Sequence, residues 1–205
     1  MCIRDRIVDE LKEARAAIEE VRGQPISGFR APGYVINDAI LDALAQQGYR
    51  YDTSLFPCPP YYLAKAAIMG LMRLQGRRSE SILDHPSVMW AKTEPHRLRG
   101  IVELPVTVLP WARMPFIGTS LLMLGRRGYD LIRPWLAKKQ FVNLEFHGID
   151  LCDLKLDGID PVLSKQPDLR VPLSEKWMLF RRVLSDLKAD WGVQTLEEIA
   201  KDVRS

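Results

Sequence analysis

Short apolar stretches that suit β-strands alternate along this chain with stretches of helical periodicity, and this alternation restricts the fold more than any other feature. Predicted strands lie at 26–30, 49–56, 101–109 and 141–146. Helical spacing of apolar residues occurs at 7–21, 38–47, 62–74, 129–139 and 174–191. Because such alternation is typical of parallel βα units, the sequence predicts an α/β protein, either a barrel or a doubly wound sheet.

Several helices carry boundary and face signals of their own. Asn37 suits the N-cap of the helix at 38–47, and Thr195 with Glu198 forms a T-x-x-E capping box for a last short helix. In the helix at 174–191 a stripe repeats every three or four positions and is predicted to face the core. The stripe consists of Trp177, Phe180, Leu184, Leu187 and Trp191.

The composition excludes several classes of protein. The 205 residues are 47% hydrophobic, which is enough to bury a core and rules out a disordered chain. Because 29 Lys and Arg face 26 Asp and Glu, nothing indicates a nucleic-acid partner. The three cysteines form no CxxC pair, so neither a disulfide framework nor a structural zinc site is indicated. Since no apolar run approaches the ~20 residues of a membrane-spanning helix, no transmembrane segment is expected.

The opening residues differ from the rest of the chain. Residues 1–6, MCIRDR, have neither the apolar core of a signal peptide nor a clear helix start, and are interpreted as a scar or artefact. Residues 7–205 are then predicted to form part of a single domain that begins within a helix.

Residues 59–100 are predicted to form a loop or insertion in that domain. It would contain the helix at 62–74 and, from 75 to 100, a long loop without sustained periodicity. The segment 62–78 is apolar with a basic tail that ends in Arg77 and Arg78. It is expected to pack on its own domain, and weak contact with a membrane surface is the alternative.

Arg30, Asp52 and His147 each lie at or beside the C-terminal end of a predicted strand, where functional groups of parallel sheets gather. We therefore expect the three to converge. His147 suits general acid or base work, or is a structural histidine. Arg30 could orient a carboxylate or be a surface arginine beside a turn. Asp52 could also be a turn-capping carboxylate.

Together these segments resemble the metal-dependent polysaccharide deacetylases, a carbohydrate esterase family built on a distorted (β/α) barrel. Residues 28–33, GFRAPG, resemble the family's arginine-proline motif, and residues 48–57, GYRYDTSLFP, resemble its tyrosine-aspartate-serine segment. Residues 144–147, LEFH, resemble its last motif. The resemblance follows the order and spacing of the motifs over nearly the whole chain.

This resemblance implies hydrolysis of N-acetyl groups on a sugar or glycan by water activated on a divalent metal, usually zinc. His147 would protonate the departing amine, and Arg30 would hold a base carboxylate in place. Asp52 would support the pocket. Gly33 and Tyr34 would bind substrate, with the backbone amide of Gly33 facing the oxyanion.

The chain departs from the family pattern upstream of Arg30. The family's paired aspartates and its H-x-x-x-H metal motif are missing there. The 29 preceding residues contain no histidine, and their aspartates, Asp5 and Asp9, lie in the opening residues and in the first helix. A barrel of this kind needs about 250 residues. The sequence therefore predicts an inactive fragment that lacks the first strands of the barrel and holds no metal itself, although the complete enzyme would.

A different class of protein is the alternative. A non-catalytic sugar-binding or membrane-surface module would also lack the metal ligands. The glycan is not specified by the sequence, and for the compartment the resemblance favours the bacterial cell envelope, with the cytoplasm as the alternative.

Overall fold

The computed structural model describes residues 3–76 and 85–203. They belong to a mixed α/β protein that divides into two compact units. The first unit comprises the chain up to Pro105 and from Gln194 onward, and the second is Val106–Val193. Of the predicted features, Met1, Cys2, Arg77, Arg78 and part of the long loop lie outside the described residues.

A small mixed sheet of four short strands forms the centre of the first unit. The strands are β1 (Gly28–Phe29), β2 (Tyr51–Asp52), β3 (His96–Leu98) and β4 (Ile101–Glu103), in the spatial order β1-β2-β4-β3. β1 pairs with β2 and β2 with β4 in parallel, whereas β3 is antiparallel to β4. The C-terminal ends of three parallel strands therefore meet at one edge of this sheet.

The described residues of the first unit form four α-helices. They are α1 (Ile3–Arg22), α2 (Asp38–Gln46), α3 (Pro59–Leu74) and α6 (Leu196–Asp202). α2 connects β1 to β2, as expected for a parallel crossover. Its buried residues Leu41 and Leu44 join Leu11 of α1 and Ile101 of β4 in one core. This core packs α1 and α2 against the sheet.

The second unit is built on two long helices, α4 (Gly118–Leu136) and α5 (Leu173–Trp191). Phe116, Leu121, Tyr129 and Phe180 are buried in its core. Two isolated bridges, Val108 with Pro115 and Ile117 with Glu145, are the ladder contacts of its described residues. Apolar helix faces thus supply most of this core.

The structure confirms the α/β class and several local predictions. Asn37 caps α2 by accepting a hydrogen bond from the N–H of Ile40 (3.0 Å). Thr195 and Glu198 form the predicted capping box of α6. Both signals depend on neighbouring residues alone, which is why the sequence was sufficient.

Other local predictions were wrong. Within 141–146, only Glu145 forms a ladder pair, so the predicted strand is absent from these described residues. The loop predicted at 75–100 contains β3 and a 3₁₀ turn at Pro86–Trp90. The stripe predicted for α5 is displaced, because Trp177 and Leu184 are about half exposed.

The displaced face of α5 has a specific cause. Lys176 is fully buried beside Trp177, and its Nζ donates a hydrogen bond to the carbonyl oxygen of Cys152 (2.7 Å). Leu179, Phe180 and Val183 are buried on the same side. A partner supplied from elsewhere in the unit lets an ammonium group take a core position, and helical periodicity gives no sign of this.

No helix among the described residues combines the length and the apolarity that crossing a bilayer would require.

Candidate functional site

The arginine-proline motif forms a turn in the first unit, directly after β1. A 3₁₀ turn follows at Pro32–Tyr34, with Gly33 at φ +65° and Tyr34 at φ +63°. A left-handed tyrosine is strained, because its Cβ crowds the backbone in this region. Strain of this kind persists only where the surroundings hold the backbone, and here that support comes from the segment after β2.

Arg30 connects this turn to the tyrosine-aspartate-serine segment. Its Nε donates to the carbonyl oxygen of Thr53 (3.1 Å), and its Nη2 donates to the Thr53 hydroxyl (2.9 Å). The Thr53 hydroxyl in turn donates to the carbonyl oxygen of Leu104 (2.8 Å). The guanidinium is thereby held at the strand ends, where the sequence predicted it.

A second connection runs through Ser54. The backbone N–H of Ala31 donates to the Ser54 hydroxyl (2.7 Å), which donates to Asp52 Oδ1 (2.7 Å). The N–H of Ser54 donates to Asp52 Oδ2 (3.0 Å). Asp52 and Ser54 are both fully buried. Asp52 therefore supports the turn through Ser54 and does not present its carboxylate to solvent.

Glu103 is the residue of this network that the sequence analysis missed. It is fully buried and is the register partner of Asp52 on the neighbouring strand. Its Oε1 accepts a hydrogen bond from the N–H of Leu55 (3.1 Å). The available signal was an acidic residue between Val102 and Leu104 in a stretch otherwise apolar on both sides, which marks a carboxyl in a buried strand.

The two buried carboxyls do not both carry charge. Burial, reinforced by the nearby charge of Asp52, raises the pKa of Glu103 to about 10. Burial also raises the pKa of Asp52, against the hydrogen bonds from Glu103 and Ser54 that lower it. Glu103 Oε2 is a buried atom without an assigned donor. The hydrogen bond between the Glu103 and Asp52 side chains requires a proton on one of the two carboxyls, and the raised pKa of Glu103 assigns it to Glu103.

Aromatic rings and one lysine surround the other side of the turn. The ring of Tyr34 packs on Phe56 (4.8 Å between centroids) and on Tyr61 (5.5 Å). Lys65 Nζ lies 5.8 Å from the centre of the Tyr61 ring. A Cβ built on Gly33 would be 3.9 Å from that ammonium group. The Gly33 backbone is thus beside a cation.

A separate cavity of about 680 Å³ lies in the first unit. Asn37, Leu55, His85, Lys92 and His96 are among its lining residues. Arg30, Gly33 and Tyr34 do not line it. The cavity therefore adjoins the network through Leu55 and is distinct from the turn that carries the predicted site residues.

His147 belongs to the second unit, where it precedes a 3₁₀ turn at Gly148–Leu151. Its backbone N–H donates to Oδ2 of the fully buried Asp150 (2.8 Å). The ring is about half exposed, with Nδ1 3.9 Å from Asp150 Oδ2 and Nε2 3.6 Å from Glu145 Oε1. Two carboxylates thus flank an accessible imidazole.

The structure brings Arg30, Asp52, Gly33 and Tyr34 together within the first unit and gives His147 its own surroundings in the second. Convergence of His147 with the other residues stays a prediction. Among the described residues, no group of three or more His, Cys, Asp or Glu side chains could hold a metal ion. Comparison of the chain with models of protein families, with curated proteins and with solved structures finds no match.

Proposed function

We propose that this chain carries part of the catalytic domain of a polysaccharide deacetylase with a distorted (β/α) barrel. The observation that carries the proposal is the joining of two motifs. The Arg30 turn and the segment 52–54 are bound by direct hydrogen bonds at the C-terminal ends of adjacent parallel strands. Such ends are where α/β enzymes place reacting groups.

The proposed reaction is hydrolysis of an N-acetyl group on a sugar or glycan. His147 donates a proton to the leaving nitrogen, because its imidazole is accessible and is flanked by Glu145 and Asp150. Arg30, fixed by Thr53, positions a base carboxylate. The Gly33 amide, beside Lys65, faces the developing oxyanion, where a fixed N–H dipole and a nearby cation both stabilise negative charge.

The resemblance also implies a divalent metal, with zinc as the first choice. The described residues do not fit this group, because they offer no set of three ligands. We propose that the complete protein supplies the ligands and the base, and that the present chain supplies the proton donor and the positioning residues.

The test uses the protein with the upstream motifs restored. Acetate release from an acetylated chitooligosaccharide and from peptidoglycan is measured for the parent, His147→Ala and His147→Gln. Both substitutions are expected to lower turnover by about 10² to 10⁴-fold, because neither side chain can act as the acid. Metal content should be unchanged.

Trp177→Ala, which truncates an exposed ring on α5, is the control and should retain normal turnover. Near-normal rates for His147→Gln would refute the role of His147. Absence of acetate release by the restored parent on any acetylated glycan would refute the deacetylase assignment itself.

A further inference from the structure

Trp111 is the most exposed of the five tryptophans, and its backbone is strained. The residue is 85% exposed and has φ +76°. This left-handed region suits Gly or Asn, and a bulky residue there is an outlier because its Cβ crowds the backbone. Burial of the side chain would offset such strain, but this ring is in solvent. Since Trp111 stabilises the fold neither through its backbone nor through burial, its presence is explained by a contact outside the folded chain.

The loop that carries Trp111 is held at its base. The N–H of Leu109 donates to the carbonyl oxygen of Met114 (2.8 Å), and the N–H of Phe116 donates to the carbonyl oxygen of Thr107 (3.1 Å). Phe116 is fully buried in the core of the second unit. The surrounding structure therefore fixes the loop and presents the indole in one place.

A second tryptophan supports the ring of Trp111. The centroids of Trp111 and Trp135 are 5.6 Å apart and the ring planes meet at 82°, the favourable edge-to-face arrangement. Trp135 lies in the last turn of α4, and the end of that helix is fixed where Trp191 Nε1 donates to the carbonyl oxygen of Lys139 (2.8 Å). Lys138 Nζ lies 4.5 Å from the centre of the Trp135 ring. Trp135 thus packs against an indole and an ammonium group, and the ring of Trp111 is the open one.

The ligand that fits this arrangement has a flat apolar face and a polar edge. An indole face in solvent offers apolar area and negative ring charge to C–H groups of a flat ligand. The neighbouring Lys138 ammonium group donates hydrogen bonds to oxygen atoms. A pyranose ring combines both properties, since C–H groups cover its faces and hydroxyl groups surround its edge. An acyl chain or an apolar peptide would instead desolvate the ammonium group without offering it an acceptor, which is costly.

The loop of Trp111 is also connected to the segment that contains His147. Ile117, which follows the loop, forms a parallel bridge with Glu145. The N–H of Gly118 donates to the carbonyl oxygen of Glu145 (2.8 Å), whose side chain flanks the His147 imidazole. One continuous set of backbone contacts in the second unit therefore holds both the loop and the proposed proton donor.

We propose that Trp111 and Trp135 form a platform on which a pyranose ring of an oligomeric glycan stacks, with Lys138 donating to its hydroxyl groups. The inference rests on the proposed function, which supplies the glycan as the class of substrate. The His147 imidazole is flanked by two carboxylates and not by these rings. The sugar on the platform is therefore a neighbour of the reacting sugar within one oligosaccharide.

The test measures binding of fluorescently labelled chitohexaose to the full chain by fluorescence polarisation. We expect the parent to bind, and unlabelled chitohexaose to compete better than the N-acetylglucosamine monomer. Trp111→Asn removes the ring and should weaken binding about fivefold or more, and Trp111→Phe should lie between the two. Because Asn suits the left-handed backbone, the Trp111→Asn protein should unfold at the parent's urea concentration or at a higher one.

Trp90→Asn is the matched control, because Trp90 belongs to the first unit and is also largely exposed, at 71%. This variant should bind chitohexaose like the parent. Equal loss of binding in Trp90→Asn and Trp111→Asn would overturn the proposal, since the contact would then not be specific to the platform.

Acetate release from chitohexaose by the restored protein, measured in parallel, separates this proposal from the proposed function. Release of acetate, with unchanged binding by Trp111→Asn, would overturn the platform and leave the deacetylase assignment standing. Loss of binding in Trp111→Asn, without acetate release by the restored parent, would support the platform and refute the deacetylase. A parent that binds no chitohexaose would also overturn the platform. If that parent sediments as a dimer and Trp111→Asn as a monomer, a second copy of the chain covers the rings.

Discussion

Asp52 and Glu103 are register partners on neighbouring parallel strands, and neither carboxyl reaches solvent. Residues paired in this way project to the same face of a sheet, so their like charges would repel in surroundings of low polarizability. A proton held by Glu103 removes this repulsion and turns the contact into a hydrogen bond. The pair thereby fixes Ser54, and through Ser54 the turn that carries Arg30.

The first prediction concerns the pH dependence of stability. Glu103 has a pKa of about 10 in the folded protein and an ordinary value of 4.5. Between these values the folded state holds a proton that the unfolded state has lost, so the free energy of unfolding falls as pH rises. The stability is complete below about pH 4.5 and is lost progressively up to about pH 10.

Glu103→Gln removes that titration and keeps an N–H donor toward Asp52. Urea unfolding between pH 5 and pH 9 should therefore show a smaller decline for the variant than for the parent, by up to about 1 kcal/mol per pH unit. Since burial also raises the pKa of Asp52, the variant with both Asp52→Asn and Glu103→Gln should be flatter still. Parallel curves for parent and single variant would show that Glu103 is ionised in the folded state.

The second prediction concerns Ser54. Ser54→Ala leaves the Ala31 N–H without its acceptor and removes the hydroxyl that donates to Asp52 Oδ1, both in buried positions. We expect a loss of about 1 to 3 kcal/mol in the free energy of unfolding. Ser87→Ala, which alters an exposed serine, should stay within about 0.5 kcal/mol of the parent. Equal losses of unfolding free energy in the two variants would contradict the role of Ser54 in joining Ala31 to Asp52.

The third prediction links α4 to His147. A Cβ on Gly118 would clash with Asp150 Oδ2, and that oxygen accepts a hydrogen bond from the backbone N–H of His147. Gly118→Ala should therefore displace Asp150, cost about 1 to 3 kcal/mol of stability, and shift the amide resonance of His147.

Gly70→Ala, in α3, is the control for this change, because a Cβ there would meet nothing within 4 Å. It should leave the His147 resonance in place. An unchanged His147 amide in the Gly118→Ala protein would contradict the proposed dependence of His147 on Asp150.

The fourth prediction concerns zinc. The described residues hold no group of three ligands, so we expect that isothermal titration of this chain with zinc shows no tight site. Stoichiometric binding at micromolar affinity or better would contradict the interpretation of the chain as a part of the enzyme without its metal ligands.

The sequence was most informative where structure depends on near neighbours. The caps of α2 and α6 and the turn at Pro32–Tyr34 each follow from side chains within three or four positions. Placement of Arg30 at a strand end also followed, because a turn after an apolar stretch marks where a strand stops. The strand predicted at 49–56 extended beyond Asp52, which is the last residue of β2. Strand lengths did not follow, since ladder pairing depends on a partner strand that is distant along the chain.

The order of apolar and polar residues was enough to establish an α/β protein and to show which segments end in polar groups. Long-range contacts were needed to show that Glu103 shares the buried position of Asp52 and that Lys176 enters a core while Trp177 stays at the surface. In each case a buried polar group is stabilised by a partner far away in the chain, across 51 positions for Asp52 and Glu103 and across 24 for Lys176 and Cys152. Burial and pairing of this kind arise from the fold, whereas periodicity reports only which residues are apolar.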